Sequence, residues 1–362
     1  MRFSVVLGTR PEIVKMSPIV RELQRNGDEF DLVHTGQHYS FEMDKVFFRD
    51  LGLPDPTINL EVGSGTHGAQ TGKMLIGLER FFQQTEPDVV LVQGDTNTVL
   101  AGALAAVKLN IAVGHVEAGL RSFDRTMPEE VNRVMADHIS DMLFSPTAVS
   151  ADNLRAEGIA DDKIHITGNT IVDAVRENLH LAAEKGDALT SLGLVKGEYI
   201  MTTMHRQENV DSPARMKNVL QGMEKVNQNT GLEIVWPMHP RARKNLERFQ
   251  LSVPPGVKVI QPLGFLEFLQ VEGNAALALT DSGGVQEECC ILGVPCVTLR
   301  DNTERPETVL VGANKIVGTD PVSMADGVRD MLGRDGWICP LGEDGAGTRI
   351  VKICREFRKT WA

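Results

Sequence analysis

Nowhere in the 362-residue chain do ~18 apolar residues run together, the least that a membrane-spanning helix needs. The amino terminus, MRFSVVLGTRPE, lacks the long apolar stretch and small-residue cleavage site of a secretory signal, so no signal peptide is expected. Five cysteines make an odd number without a CxxC pair: Cys289 and Cys290 are adjacent, while Cys296, Cys339 and Cys354 are scattered. That pattern points away from a disulfide framework and towards a reduced, cytoplasmic setting. His34, His38 and His115 stand without HxxxH or HExxH spacing, so no metal site is expected. Basic charge is short as well. With 37 Lys and Arg against 49 Asp and Glu, the formal net charge is −12. A nucleic-acid partner needs a basic surface and is not expected, whereas a small anion needs only a local cluster of cations and backbone N–H groups.

Two nucleotide fingerprints are also missing. No GxGxxG follows the first apolar run, so a dinucleotide cofactor is not expected. Residues 67–74, HGAQTGKM, imitate a P-loop, but His67 stands where a glycine is required and Met74 where Ser or Thr is. No buried strand precedes them.

What is present is alternation. Short apolar runs at residues 3–7, 32–35, 89–93, 112–116 and 142–145 are separated by amphipathic stretches such as 97–109. Ser17 and Pro18 read as the N-cap and first position of a helix. Uninterrupted apolar strands between helices indicate a parallel sheet covered on both faces. After ITGNT at residues 166–170 and a helix to about residue 185, a second series begins at 199–203, 234–237, 257–261, 276–280 and 294–299. The expected fold class is α/β, with two Rossmann-like doubly wound domains facing a cleft: residues 1–169 and 170–345. A last helix, within residues 346–362, could pack back on the first.

The residues that carry chemistry stand just after these strands. Gly8-Thr9-Arg10-Pro11-Glu12, with Lys15 one turn on, can bring two cations to one anion, or be a strand-to-helix turn with solvated charges. Ser282-Gly283-Gly284 lets backbone approach a phosphate, and Glu288 in the following helix can accept from ribose hydroxyls; the plainer reading is a tight turn. Asp95 follows the run 89–92, Glu117 follows the next strand, and Glu129 and Glu130 open the helix after that. Converging acids suit general acid–base work, although each alone could only cap a helix or complement its dipole. His205 and His239 each stand just past a strand, at the edge where a ligand would lie.

In order along the chain come GTRPEIVK, QGDTNT, HVEAGLRS, MPEEVNR, SPT, TGNTIVDA, HRQEN, DSGGVQEE and RDNTERPE. Together these nine motifs, spread from residue 8 to residue 307, resemble the non-hydrolysing UDP-N-acetylglucosamine 2-epimerases, and the segment THGAQTGK is closer to archaeal members. The resemblance implies a GT-B glycosyltransferase-like fold, a homodimer, no cofactor, and interconversion of UDP-N-acetylglucosamine and UDP-N-acetylmannosamine. It implies Asp95, Glu117, Glu129 and His205 as catalytic positions and Arg10 and Lys15 at the diphosphate. Ser282, Gly283, Gly284 and Glu288 would lie around phosphate and ribose, Phe268 on uracil, and His239 and Arg305 elsewhere along the substrate. Gln37, His38 and Lys73 would line a second, activating sugar-nucleotide site. There the chain departs from many bacterial members, with Tyr39 and Ser40 in place of Arg and Gln and Lys73 in place of Arg, so weakened activation is expected. Two neighbouring activities fit the same motifs: epimerisation of a UDP-diacetamido-uronic acid, and a hydrolysing epimerase.

Overall fold

The computed structural model describes residues 1–37 and 47–358. The chain divides into two compact units, Met1–Arg176 with Leu341–Ala362, and Glu177–Pro340. The division falls within the helix Thr170–Lys185.

The first unit is built on β1 (Arg2–Leu7), β2 (Glu29–His34), β3 (Ile58–Asn59), β4 (Val89–Gln93), β5 (Ala112–Val116), β6 (Met142–Ser145) and β7 (Ile164–Ile166). They pair in parallel in the order β3-β2-β1-β4-β5-β6-β7. Every residue of β4 and of β5 is buried, as a strand covered by helices on both faces must be.

The second unit repeats the plan with β8 (Tyr199–Thr203), β9 (Glu233–Pro237), β10 (Val257–Ile260), β11 (Leu277–Thr280), β12 (Cys296–Thr298) and β13 (Asn314–Ile316), in the order β10-β9-β8-β11-β12-β13. Trp236 of β9 is fully buried in a core with Met216, Met223 and Met324. Both units are thus doubly wound α/β folds. In each, the sheet order reverses direction beside the first strand, between β1 and β4 and between β8 and β11, where such folds bind ligands.

The expected helix start at Ser17 and Pro18 is corrected by the structure. One helix runs Arg10–Asn26 with Thr9 at its N-cap and Pro18 inside it. An interior proline lacks the N–H that would bond the carbonyl four residues back. Here that carbonyl belongs to Val14, and Ser17 Oγ donates to it at 2.7 Å. The serine that resembles a cap instead repairs the interruption.

The helix Ala346–Glu356 belongs to the first unit and lies against Arg10–Asn26. A Cβ on Gly347 would come within 3.0 Å of Pro18, Thr348 Oγ1 donates to Glu22 at 3.1 Å, and Arg355 donates to Asp28 at 2.8 Å. The Asp173 carboxylate accepts from Gly345 N and Gly347 N, capping that helix from afar. No helix among the described residues is long and apolar enough to cross a membrane.

Candidate active site

In the first unit the segments leaving β1 and β4 lie at the switch point. A Cβ on Gly8 would sit 2.1 Å from Thr35 Oγ1 and 2.3 Å from Thr98 Oγ1, so only glycine fits. Glu12, nearly fully buried, accepts from Gly8 N at 2.6 Å, from Thr9 N at 2.9 Å and from Thr96 Oγ1. It therefore ties the turn after β1 to the turn after β4. Burial pushes its carboxyl up from 4.5 to about 7, against the opposing effect of those donors. Arg10 opens the helix with its guanidinium 5.7 Å from the centre of the Phe47 ring.

Glu117 follows β5 and has φ +67°, in the left-handed region that residues other than glycine rarely occupy. Such a conformation persists only where the surroundings fix it, and it is commonest at functional sites. Three side chains hold its buried carboxylate: Lys15 Nζ in an ion pair, Gln93 Nε2, and Asn169 Nδ2 at 3.4 Å. Lys15, expected at the diphosphate, is thus engaged with the candidate acid.

Asp95 is about one-third exposed and pairs with Arg133 at 2.6 Å. Arg133 also holds Glu130, which accepts in addition from Ser122 N, Ser122 Oγ and Phe123 N. The two neighbouring glutamates therefore differ. Glu130 is buried and fully engaged, whereas Glu129 is half-buried and its carboxylate has no hydrogen-bond or ion-pair partner among the described residues. His115 is a core residue: Nδ1 meets Asp137 at 2.7 Å and Nε2 meets the Gly94 carbonyl at 2.8 Å, leaving neither nitrogen for a metal. Burial opposes ionisation of Asp137, but His115 and Arg121 together hold it below the usual carboxyl range. The described residues contain no cluster of His, Cys, Asp and Glu able to hold a metal ion.

Of the residues expected at a second sugar-nucleotide site, Gln37 lies in a buried polar network. Its Oε1 accepts from Thr98 Oγ1 at 2.8 Å, and its carbonyl accepts from Gln70 Nε2 at 3.1 Å. Gln70 Oε1 accepts in turn from Asn97. Lys73 is exposed on the helix His67–Thr85. His38, Tyr39 and Ser40 lie outside the described residues.

In the second unit the segments leaving β8 and β11 meet through Asp281. Its buried carboxylate accepts from His205 N and Arg206 N at 3.1 Å, from Asn209 Nδ2 at 3.1 Å, and faces His205 Nδ1 at 2.9 Å. Burial would raise this carboxyl, yet His205 and Asn209 together keep it below the usual range. The imidazole is thereby oriented, with about half of its side chain exposed. Ser282 caps the helix Gly283–Leu292, accepting from Val285 N at 3.4 Å. Gly283 and Gly284 begin this helix, where backbone N–H groups have no intrahelical acceptor and favour an anion.

Glu288 lies on the same helix with 8% exposure. Arg305 pairs with Glu287 beneath it. His239 caps the helix Pro240–Phe249 through Nδ1, which accepts from Arg241 N at 3.2 Å. Phe268, on the helix Phe265–Gly273, is partly buried against a cluster that includes Val271 and Val285. Arg300 and Glu304 form a buried pair at 2.7 Å. Although burial opposes it, Arg300 with Arg206 and Arg305 holds Glu304 well below the usual carboxyl range.

Sequence reasoning did not single out Glu12, Gln93, Arg133, Asn169 or Asp281, although Gln93 ends β4 and Asp281 directly follows β11. Asp281 had the clearest signal, as the first residue past an apolar run and next to a glycine turn. Arg133 stands three residues after Glu130 on one helix, a spacing that permits a pair, but its tie to Asp95 spans 38 positions and is made only by the fold.

A sequence model of the UDP-N-acetylglucosamine 2-epimerase family matches residues 21–355. A curated UDP-N-acetylglucosamine 2-epimerase from Methanocaldococcus jannaschii is 52% identical, over 98% of each chain. A crystal structure of M. jannaschii UDP-GlcNAc 2-epimerase in complex with UDP-GlcNAc and UDP, also 52% identical, matches with a TM-score of 0.93 over 99% of this chain and 100% of that one. A UDP-2,3-diacetamido-2,3-dideoxy-D-glucuronate 2-epimerase from Pseudomonas aeruginosa is 40% identical over 97% of this chain and 99% of its own length. The spinosyn rhamnosyltransferase SpnG shares the fold alone, at 15% identity and a TM-score of 0.52 over 98% of this chain and 95% of that one. With a family match over most of its length and half of its residues shared with a curated member, the chain belongs to the UDP-N-acetylglucosamine 2-epimerase family.

Proposed function

We propose that the chain interconverts UDP-N-acetylglucosamine and UDP-N-acetylmannosamine by eliminating UDP and adding it back. The observation that carries this reading is Glu117, a buried carboxylate in a strained backbone conformation, gripped by Lys15, Gln93 and Asn169. The sugar's C2 proton is not beside a carbonyl and cannot simply be removed at neutral pH. Stretching the C1–O bond to UDP places positive charge on C1 and acidifies that proton. A carboxylate then takes the proton, the C–H electrons form the C1–C2 double bond, and the C1–O electrons leave with UDP. In the return step a UDP oxygen attacks C1 while a carboxyl group delivers a proton to the opposite face of C2.

Asp95, Glu117 and Glu129 are the acids and bases of this scheme, Lys15 holds Glu117, and Arg10 faces the diphosphate. In the second unit, Gly283, Gly284 and Ser282 receive phosphate, with Arg305 and His239 near it. His205 acts from its Asp281 support, Glu288 accepts from ribose, and Phe268 meets uracil. A positioned donor to developing charge contributes ~3–4 kcal/mol, and a base about 10²–10⁴-fold. The same reading makes the protein a cytoplasmic homodimer with no cofactor, binding UDP-GlcNAc, UDP-ManNAc and UDP. Activation by a second substrate molecule near Gln37 would be weak. A diacetamido-uronic acid is the second candidate substrate, with the relative of that activity less similar, at 40% against 52%.

Asp95→Asn, Glu117→Gln and Glu129→Gln preserve shape and remove charge. Each is expected to lower turnover about 10²–10⁴-fold, with at least one leaking UDP and 2-acetamidoglucal on long incubation. Arg10→Ala should weaken substrate binding as well as turnover. Chromatography and mass spectrometry of the mixtures read these outcomes. Near-normal turnover in all three folded acid variants would refute the scheme.

A further inference from the structure

Beneath the helix Gly283–Leu292 the second unit buries an acid that this scheme does not use. Glu272, near the end of the helix Phe265–Gly273, has 0% exposure. Its Oε1 accepts from Cys289 Sγ at 3.1 Å, while no donor among the described residues reaches Oε2. Beside it stands the carboxyl of Glu288, which precedes Cys289 on the helix Gly283–Leu292 and whose charge acts on the Glu272 acid. Two carboxylates have only acceptors to offer one another, so a hydrogen bond between them requires a proton. Burial, reinforced by the charge of Glu288, raises the Glu272 acid well above the ordinary carboxyl range.

We propose that Glu272 is a neutral acid whose O–H donates to Glu288 and fixes that carboxylate for the hydroxyls of the nucleotide's ribose. It is a positioning residue, and its role rests on the reading of Glu288 as the ribose acceptor. A carboxylate offers about four lone-pair sites. One occupied by the Glu272 O–H sets the plane in which the group meets the ribose. Cys289 completes the arrangement by donating to the other Glu272 oxygen, so the Glu272 O–H has one direction to point.

The test uses nucleotide-stripped full-length protein and UDP as the probe. Glu272→Leu removes the donor, whereas Glu272→Gln keeps an N–H for Glu288 and an acceptor for Cys289. Calorimetry should show UDP binding roughly tenfold weaker in Glu272→Leu, the loss of one hydrogen bond to a charged group, and largely recovered in Glu272→Gln. Wild-type protein should prefer UDP to 2′-deoxy-UDP, and Glu272→Leu should lose much of that preference. Infrared difference spectra in H₂O and D₂O should contain a protonated-carboxyl band that moves when UDP binds and is absent from Glu272→Gln.

Absence of that band from wild type overturns the shared proton whether or not Glu272→Leu folds. So does Glu272→Leu that binds and discriminates like wild type while Glu288→Gln does not. If Glu288→Gln itself binds and discriminates normally, the ribose assignment fails and the proposal falls with it, by a route separable from a fault at Glu272.

Discussion

A carboxyl group stripped of water gains protons, and Glu12 makes that a measurable property of the first unit. Its acid is raised from 4.5 to about 7. The protonated group is therefore favoured in the folded state. Its stabilising contribution is fully present below pH 4.5 and is lost as pH rises through 7. Relative to Glu12→Gln, wild-type stability should fall by ~3 kcal/mol between pH 4.5 and pH 8, at 1.36 kcal/mol per pK unit. Urea unfolding of both proteins across that range checks this, and parallel stability curves would contradict it. That Asp95 and Glu117 lie just past apolar strands was legible in the sequence, but the partners of the candidate acids were not. Glu129 and Glu130 look equivalent in MPEEVNR. Only the fold sends Glu130 to Arg133, Ser122 and Phe123 while Glu129 keeps no such partner among the described residues. Lys15 likewise read as a phosphate ligand because its tie to Glu117 spans 102 positions of sequence.

The helix Arg10–Asn26 continues through Pro18 because Ser17 supplies the donor that the proline lacks. Ser17→Ala should leave the buried Val14 carbonyl unsatisfied and destabilise by ~1–3 kcal/mol. In a Pro18→Ala background the restored backbone N–H should satisfy that carbonyl, so the same change should be nearly neutral there. A double-mutant cycle by thermal unfolding measures the coupling, and additive effects would show that Ser17 plays no such part. This helix also shows why local signals mislead: Ser followed by Pro is a common helix start, and only tertiary packing decides otherwise. The long strands were legible because burial on both faces writes an unbroken apolar run. β3, β7 and β13 span two or three residues, too few to leave a pattern.

Both units use one plan, a parallel sheet whose order reverses beside its first strand, and in both a buried acid joins the segments leaving the strands at that reversal, Glu12 in the first and Asp281 in the second. The repetition is invisible as sequence identity yet follows from the alternation of strand and helix, which is why fold class could be read early. A net charge of −12 on a chain expected to hold a diphosphate makes local cations matter more than the overall field. The central claim is chemical: the C2–H bond breaks, and the carbon is re-protonated on its other face. The direct measurement is proton NMR of UDP-N-acetylglucosamine incubated in D₂O with nucleotide-stripped, EDTA-treated protein. The expected result is deuterium at C2 of the UDP-N-acetylmannosamine formed, and progressively of the remaining substrate, without added nicotinamide cofactor or metal. Epimerisation with the original proton retained at C2, or a strict need for a nicotinamide cofactor, would contradict the account.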